Sequence, residues 1–326
     1  MQCLDLKKGT RGQLELVTVR WLLMLLPFAL WGTAMAAMKP LLLEAGPLTL
    51  AWLRLLPAGL VLLAAARLWR GESKVDRRDW GWLALFTLVD ATAFQGLLAR
   101  GLVGTGAGLG SVLIDSQPLL VALLARSLFG DAINPVGWLG LLIGLLGILC
   151  LGLPAPLLKH WWLMGPEALD AQAWSHGELW MLAAALAMAL GTVISRFACR
   201  HSDPVAVTGW HMVLGGLPLM AGSALLPQPF WPAWDPLDWG LMTYAALLGS
   251  ALAYGLFFWF ANHSDLTSFT SLTFLTPVFA LLCGVVLLKE QLQPLQWLGV
   301  GLALVSVVLI NRRALLWQSA AAEVVA

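Results

Sequence analysis

The segments QPLLVALLARSLFGD (117–131) and TPVFALLCGVVLLKE (276–290) decide the fold, because they are two copies of one pattern. Each begins with a polar residue and a proline, continues as an apolar run, and ends at an acid. Each residue lies 159 positions (276 − 117) from its counterpart. Other pairs at this offset are Gly32 with Gly191, Thr33 with Thr192, and Asp79-Trp80 with Asp238-Trp239. We therefore predict a chain made of two related halves.

Apolar residues dominate both halves. Hydrophobic residues make up 60% of the chain and charged residues 11%, with a mean hydropathy of +0.81, whereas a soluble domain keeps roughly a quarter of its residues charged. Each half contains five apolar runs close to the ~20 residues that a helix needs to cross a membrane. The predicted fold is an all-α integral membrane protein with ten transmembrane helices. We call them spans 1 to 10, predicted at 19–38, 47–66, 80–99, 103–125, 136–153, 178–197, 204–226, 239–260, 265–288 and 295–311.

The odd number of spans in each half predicts the topology. Five spans turn the second half over in the membrane, so the halves form two inverted five-helix repeats. Lys and Arg residues concentrate on the side of the N-terminus, which places both termini in the cytoplasm by the positive-inside rule. We expect a multi-pass protein of the plasma or inner membrane. Its predicted parts are a cytoplasmic N-terminal tail (1–18), a first repeat (19–153), an external loop (154–177), a second repeat (178–311) and a cytoplasmic tail (312–326).

Three stretches resemble one family of membrane proteins. They are WGTAMAAMK (31–39), SVLIDSQPLLVALLARSLFGDAINPVGWLGLLIGLLGILCLG (111–152) and SLTFLTPVFALLCGVVLLKEQLQPLQWLGVGLALVSVVLINRR (271–313). The chain resembles the EamA-type ten-span transporters of the drug/metabolite transporter superfamily. It departs from the family pattern at Gly130-Asp131 and Lys289-Glu290, where a Gly-Glu pair is usual. The resemblance implies a secondary transporter with a central cavity lined mainly by spans 1, 3, 4, 6, 8 and 9.

Three charged residues stand out because they lie away from the ends of the predicted spans, and a charge at the centre of a span costs at least about 2.5–3.5 kcal/mol. They are Arg54 in span 2, Asp90 near the middle of span 3 and Asp115 near the middle of span 4. One hypothesis is that Asp90 or Asp115 faces the cavity, where it binds a cationic group or carries a coupling proton. The alternative is that Arg54 pairs with one of the acids and holds the helices together.

Other polar and aromatic side chains are candidates for substrate contact. The stronger ones are Gln95 and its counterpart Tyr254, and Gln117 and its counterpart Thr276. The weaker ones are Trp31, Trp210, His211, Ser195 and Trp259. Pro118 and Pro277 are expected to kink spans 4 and 9, because proline removes a backbone donor and frees a carbonyl in the preceding turn. Such a freed group either faces a cavity or marks a purely structural kink.

Small residues recur along spans 5 and 10. Gly140, Gly144 and Gly147 correspond to Gly299, Ala303 and Ser306 at the 159-residue offset. Small residues at this spacing let two helices approach closely. The pattern predicts close helix packing, either within the bundle or between two copies of the chain.

The sequence thus predicts a secondary transporter that exports a small metabolite, such as an amino acid or an amphipathic solute, by alternating access. Proton coupling and a homodimer are left open. An importer or facilitator of the same fold is the nearest alternative, and a membrane-embedded enzyme or scaffold is the alternative from another class. The sequence has no nucleophile elbow, no two-histidine zinc motif and no Walker loop, so no catalytic residue, metal or cofactor is predicted. The net charge of +1 lacks the basic footprint of a nucleic-acid binder. The expected partners are a small-molecule substrate and the lipid bilayer.

Overall fold

The computed structural model describes residues 2–42, 44–71, 73–105, 107–152, 176–226, 230–288 and 293–317. The secondary structure of these residues is helical throughout. Ten of the described helical stretches are long and apolar enough to cross a membrane. Their bounds, from span 1 to span 10, are Thr18–Met38, Pro47–Trp69, Arg77–Gly104, Val112–Phe129, Pro135–Gly152, Gly177–Ala198, Pro204–Ala224, Pro236–His263, Leu266–Cys283 and Pro294–Asn311.

Parts of the predicted loops and tails fall outside the described residues. These parts are 154–175 of the predicted external loop, residues 318–326 of the predicted C-terminal tail, and Lys289-Glu290. The predicted N-terminal tail is helical where it is described, because span 1 belongs to a longer helix, Gln2–Leu41.

Proline and aspartate define where several spans begin. Proline is the first helical residue of spans 2, 5, 7, 8 and 10, a position whose backbone N–H would have no intrahelical partner. At span 7 the side chain of Asp203 accepts hydrogen bonds from the backbone nitrogens of Val205 and Ala206. At span 8 Asp235 and Asp238 form a reciprocal capping box. These caps satisfy donors at helix ends that would otherwise be left open.

Spans 3 and 8 each contain a π-helical segment in the middle. Span 3 runs through Trp80–Phe86, the π segment Thr87–Phe94 and Gln95–Gly104. Span 8 runs through Pro236–Ala246, the π segment Leu247–Leu252 and Ala253–His263. The second π segment corresponds to 88–93 at the 159-residue offset, so it matches the interior of the first. Both spans are 28 residues long. The predicted bounds of 80–99 and 239–260 are too short, because helical hydrogen bonding continues past the apolar run on which they were based.

Spans 4 and 9 are interrupted rather than continuous. In span 4 a turn at Asp115 and Ser116 separates the helices Ala107–Ile114 and Gln117–Phe129. In span 9 a 3₁₀ segment, Ser271–Leu275, separates Leu266–Thr270 from Thr276–Leu288. Pro118 and Pro277 therefore lie in the first turn of a new helix instead of kinking a continuous one. The predicted start of span 4 at 103 is wrong, since 103 and 104 end span 3.

Glycines set the closest contacts between spans. Span 5 packs along span 10, and span 2 packs along span 7. A methyl group at Gly147 would lie 2.9 Å from the backbone nitrogen of Ala303, and one at Gly59 would lie 2.8 Å from the carbonyl oxygen of Gly209. The small residues of spans 5 and 10 thus pack against each other within the chain. Between these pairs, span 1 contacts spans 8 and 9, and span 6 contacts spans 3 and 4.

Candidate functional site

A buried hydrogen-bonded group joins the first half of the chain to the second. Nη2 of Arg54 in span 2 donates to Oε1 of Gln95 in span 3, and Nε2 of Gln95 donates to the hydroxyl of Tyr254 in span 8 at 2.9 Å. All three side chains are buried, and Arg54 is 5% exposed. We call these three residues the Arg54 network. Because Gln95 and Tyr254 are counterparts at the 159-residue offset, their bond links matching positions of the two halves.

The guanidinium of Arg54 fixes the direction of the hydrogen bonds in the network. A guanidinium only donates, so the Gln95 atom that faces it is the carbonyl oxygen. The amide nitrogen of Gln95 then donates to Tyr254, which leaves the phenol hydrogen for another acceptor. Nη1 of Arg54 contacts the sulfur of Met38 at 3.6 Å, and Nε has no hydrogen-bond partner among the described residues. The network therefore contains polar hydrogens that are not used within the described protein.

Trp31 in span 1 forms one wall of the Arg54 network. Its ring centroid lies 4.9 Å from that of Tyr254 and 4.9 Å from that of Phe257. Its indole Nε1 is buried and also lacks a hydrogen-bond partner in the described part of the chain. The indole thus adds a further unused donor, along with a flat apolar surface.

A second buried group joins span 3 to span 7. Oδ2 of Asp90 lies 2.8 Å from Nε2 of His211, and the two side chains are 0% and 2% exposed. Nδ1 of His211 lies 3.0 Å from the carbonyl oxygen of Thr208. Because that carbonyl can only accept, Nδ1 carries a hydrogen. One proton then lies in the bond between Nε2 and Oδ2, on the imidazole or on the carboxyl.

Packing holds the Asp90–His211 pair from both sides. The ring of Phe86 stacks on the imidazole of His211 at 4.0 Å. Behind Asp90, span 6 approaches so closely that a methyl group at Gly191 would lie 2.5 Å from the β-carbon of Asp90. Phe258 contacts both His211 and Tyr254, with ring centroids 5.6 and 6.1 Å away. The pair and the Arg54 network therefore share one aromatic neighbour.

The predicted pairing of Arg54 with an acid takes a different form. Asp90 pairs with His211, whereas the guanidinium of Arg54 bonds to Gln95. Asp115 is 4% exposed and lies at the turn that interrupts span 4. The two polar groups therefore use separate partners.

At the interruptions of spans 4 and 9, the polar residue before Pro118 contacts the 3₁₀ segment of span 9. Gln117 reaches span 9 through a long contact of 3.4 Å from Nε2 to Oγ1 of Thr273. Oε1 of Gln117 and Oγ1 of Thr276 are buried and have no hydrogen-bond partner among the described residues. These two atoms form a second group of unused polar atoms, at matching positions of the two halves.

Three of the weaker candidates, Trp210, Trp259 and Ser195, have other contacts in the structure. The indole of Trp210 donates to the carbonyl of Ser73 at 2.7 Å, and Trp259 stacks on His263 at 4.5 Å. Ser195 donates to the carbonyl of Thr192 at 2.7 Å, within its own helix.

A contact between the halves, from Thr33 to the hydroxyl of Tyr244 at 2.5 Å, was not predicted. The repeated Gly-Thr pair at 32–33 and 191–192 was the available signal, but nothing in the sequence indicated Tyr244 as its partner.

Two cavities open at the end of the bundle where span 1 begins and span 10 ends. We call it the basic end, because Arg20, Arg196 and Arg313 lie there. One cavity of about 470 Å³ is lined by Met24, Asp265 and Phe269, among other residues. A second cavity of about 390 Å³ is lined by Arg196, Cys199 and Asn262, among others. Both are bordered by His263 and Ser264, so they adjoin each other.

Asp265 is tied into the basic end by hydrogen bonds. Burial raises the pKa of Asp265, but the hydrogen bonds from Ser268 and the ion pair with Arg313 at 3.1 Å outweigh it and hold the pKa below its ordinary value. Asp265 therefore stays ionised and links the start of span 9 to the end of span 10.

An aromatic layer separates the larger cavity from the Arg54 network. Phe269, which lines that cavity, contacts Phe28 and Phe257 with ring centroids 5.5 and 5.3 Å away. Phe28 and Phe257 in turn contact Trp31. The three phenylalanines are fully buried. We call Phe28, Phe257 and Phe269 the aromatic layer.

The described residues contain no group of three or more His, Cys, Asp and Glu side chains that could hold a metal ion. Several of their buried polar side chains form hydrogen bonds that bridge spans, as in the bonds from Gln95 to Tyr254 and between Asp90 and His211. This arrangement suits the reversible binding of a solute.

Comparisons with known proteins identify relatives over most of the chain. The EamA-like transporter family profile matches residues 20–153 and 175–312. An uncharacterized transporter of Synechocystis sp. is 50% identical over 295 residues, which cover 90% of this chain and 89% of the relative. A chloroplastic WAT1-related protein of Arabidopsis thaliana is 44% identical over 298 residues, covering 90% of this chain and 69% of the relative.

More distant relatives match a similar share of the chain. An uncharacterized inner membrane transporter of Escherichia coli (strain K12) is 26% identical over 287 residues, covering 87% of this chain and 88% of the relative. A solved crystal structure matches 88% of this chain and 94% of its own chain with a TM-score of 0.71 at 18% identity. That last likeness concerns the fold.

Proposed function

The chain belongs to the EamA-like transporter family, and we propose that it exports a small metabolite, such as an amino acid or an amphipathic solute, by alternating access. It is a multi-pass membrane transporter of this family, with relatives that carry the name transporter. The export direction, the class of solute and the coupling are parts of the proposal. The proposal assigns the chain no catalytic step.

The observation that carries the proposal is the Arg54 network, a buried polar group to which both halves contribute. Polar groups inside a membrane protein are costly, and they commonly mark the path of a solute. Spans 2 and 3 supply Arg54 and Gln95, and span 8 supplies Tyr254. If the halves move against each other, the bond between Gln95 and Tyr254 is among those that must break and reform. This matches a solute site at the interface between two repeats.

The recurrence of irregular segments supports an inverted repeat as the moving unit. The π segments of spans 3 and 8 and the interruptions of spans 4 and 9 lie at matching positions of the two halves. Breaks in helices at membrane depth are typical of transporter sites, because unwound backbone can line a cavity. We place the first repeat at 19–153 and the second at 178–311.

Charge supports an orientation in the membrane. The basic residues at the basic end favour the cytoplasmic side by the positive-inside rule, and we propose that both termini are cytoplasmic. A relative named as an inner membrane transporter supports a cell membrane location, although another relative is named as chloroplastic. With this orientation, the two cavities open to the cytoplasm. Solute would then enter from inside the cell.

We assign proton coupling to the Asp90–His211 pair. The pair is enclosed, it holds one proton between Nε2 and Oδ2, and it joins the two halves through spans 3 and 7. A movement that separates the spans exposes both groups to water and lets that proton exchange. The proposal therefore links proton release to the same movement that opens the Arg54 network.

Export can be tested in cells that overproduce the chain. The wild type, Asp90→Asn and an empty vector are compared for small metabolites in the medium and for resistance to toxic amino-acid analogues. Glu44→Gln is the matched control, because Glu44 is an exposed acid. We expect the wild type and Glu44→Gln to raise at least one extracellular metabolite and the corresponding resistance, and Asp90→Asn to do neither at equal protein level.

Other results would contradict export. Increased sensitivity to the analogues would indicate import. A chemically altered metabolite that requires the chain would indicate an enzyme. No change in any metabolite or resistance at verified expression would refute the proposal.

A further inference from the structure

We propose that the Arg54 network binds the carboxylate of a small organic acid with one negative charge and an apolar body. This inference rests on the proposed transport function, because it names the class of solute that the network would take. It is argued from the guanidinium, from the unused donors beside it and from the aromatic side chains around it.

The charge of Arg54 has no counterion in the structure. The side chain is 5% exposed, and within the described residues no carboxylate forms an ion pair with it. Its recorded contacts are the neutral Gln95, the sulfur of Met38 and the nearby phenol of Tyr254. A buried charge is normally paired, because burial without a partner is costly. A guanidinium held in place without an anion therefore suits an anion that arrives and leaves.

The groups around Arg54 are donors. Nε of Arg54 and Nε1 of Trp31 are buried and unused among the described residues. The phenol of Tyr254 accepts from Gln95 and so keeps its own hydrogen free. A carboxylate is an acceptor with two oxygens that match the planar fork of a guanidinium. Three donor types within one connected set of side chains favour a carboxylate over an amine or a neutral amide.

The surroundings limit the rest of the ligand. Trp31, Phe257 and Phe28 are packed against one another beside Tyr254. Such rings accept an apolar body and supply no cation for a second negative charge. With one guanidinium as the cation, the network balances a monoanion, whereas a phosphate dianion would need further cations. The acid we infer is thus a monocarboxylate with an apolar or aromatic part.

The direct test is binding of radiolabelled phenylacetate to the purified full-length protein in detergent. Unlabelled phenylacetate, phenylacetamide and phenethylamine compete, since the amide keeps the shape without the charge and the amine reverses the charge. We expect saturable binding in which the acid competes at a concentration at least about tenfold lower than the amide or the amine. Arg54→Gln should abolish this preference, and Tyr254→Phe should weaken the acid by about tenfold.

Arg100→Gln is the matched control, because Arg100 is exposed, and it should bind phenylacetate like the wild type. Two further variants test the site without the risk of misfolding. Arg54→Lys keeps the positive charge without the planar guanidinium, and the double variant Arg54→Met, Gln95→Leu replaces the polar contact by apolar packing. Both should elute like the wild type in size-exclusion chromatography, and the preference for the acid should be weakened in Arg54→Lys and absent in the double variant.

Several results would overturn the inference. They are equal competition by acid and amide, preference for the amine, unaltered acid binding by folded Arg54→Gln, or no saturable acid binding by folded wild type. A preference for the amine together with metabolite export would refute the carboxylate site while leaving the proposed function intact. Acid-selective binding with no export of any metabolite would support the site and contradict the proposed function.

Discussion

Replacing Gly191 by alanine should disrupt the Asp90–His211 pair from behind. The new methyl group would lie 2.5 Å from the β-carbon of Asp90, whereas ordinary contacts start at 3.4 Å. Asp90 or the whole of span 3 must therefore move by about 0.9 Å, the difference between these values. The hydrogen bond from Oδ2 to Nε2 is 2.8 Å long, and such bonds are confined to about 2.7–3.2 Å. A shift of this size exceeds that window.

The loss of stability in Gly191→Ala can be compared with that of a second glycine-to-alanine variant, which shares the same change in helix propensity. Gly301 in span 10 has nothing within 4 Å of a built methyl group, so Gly301→Ala should be neutral or more stable by about 0.5–1 kcal/mol. In Gly191→Ala, overpacking costs about 1–3 kcal/mol and loss of a hydrogen bond to a charged group about 1.5–3 kcal/mol. We expect Gly191→Ala to be less stable than Gly301→Ala by about 2.5–6 kcal/mol, the sum of these two terms.

The assay is equilibrium unfolding of the purified variants in mixed micelles, followed by circular dichroism, together with export from cells at matched protein level. Gly191→Ala should unfold at lower denaturant and lose export, while Gly301→Ala should keep both. Equal unfolding midpoints and equal export would show that span 6 does not press on Asp90, and that the geometry derived for the pair is incorrect.

Three further predictions test other contacts. The free energy of unfolding of Asp90→Asn should lie within about 1 kcal/mol of the wild type, because the amide can still donate to Nε2 of His211. Asp90→Leu should lose about 1–3 kcal/mol of stability by leaving Nε2 unpaired, and equal unfolding midpoints of the two variants would count against the Asp90–His211 bond. Gly144→Ala should lose about 1–3 kcal/mol relative to Gly301→Ala, because the methyl group would lie 2.5 Å from Oγ of Ser306, and comparable midpoints would argue against the packing of spans 5 and 10. The pKa of Asp265 is lowered in the folded protein. The ionised carboxylate therefore stabilises the fold above the unfolded pKa of about 3.9, and this stabilisation is lost as pH falls through the lower, folded pKa. Asp265→Asn should remove this part of the acid sensitivity in melting curves between pH 7 and pH 3, and an unchanged profile would contradict the prediction.

Hydropathy predicted where the chain crosses the membrane, because it measures how favourable the transfer of each side chain from water into lipid is. The ten predicted spans and the ten observed ones correspond one to one. The small residues of spans 5 and 10 also predicted close packing, since a methyl group at Gly147 has no room beside Ala303. Hydropathy carries no information on helical phase. The π segments at Thr87–Phe94 and Leu247–Leu252 were therefore not predicted.

The missed π segments explain the limits of the site prediction. A π segment changes the direction in which every later side chain points, so the partner of Asp90 could not be worked out from its position in the sequence. His211 and Asp90 were both candidates, yet their contact depends on the close approach of spans 3, 6 and 7. The contact between Gln95 and Tyr254 joins two residues that the 159-residue offset had already paired in the sequence.

The aromatic layer bears on a different property, the electrical resistance of the membrane. A constriction lined by phenylalanine rings repels water, and an ion that crosses it must shed its hydration shell. Phe28, Phe257 and Phe269 are fully buried between the larger cavity and Trp31, so the closed protein should conduct neither sodium nor potassium. A cell can then hold many copies in an energised membrane without losing its potential. A transported solute must interact with the rings strongly enough to separate them, whereas a small hydrated cation makes no such interaction.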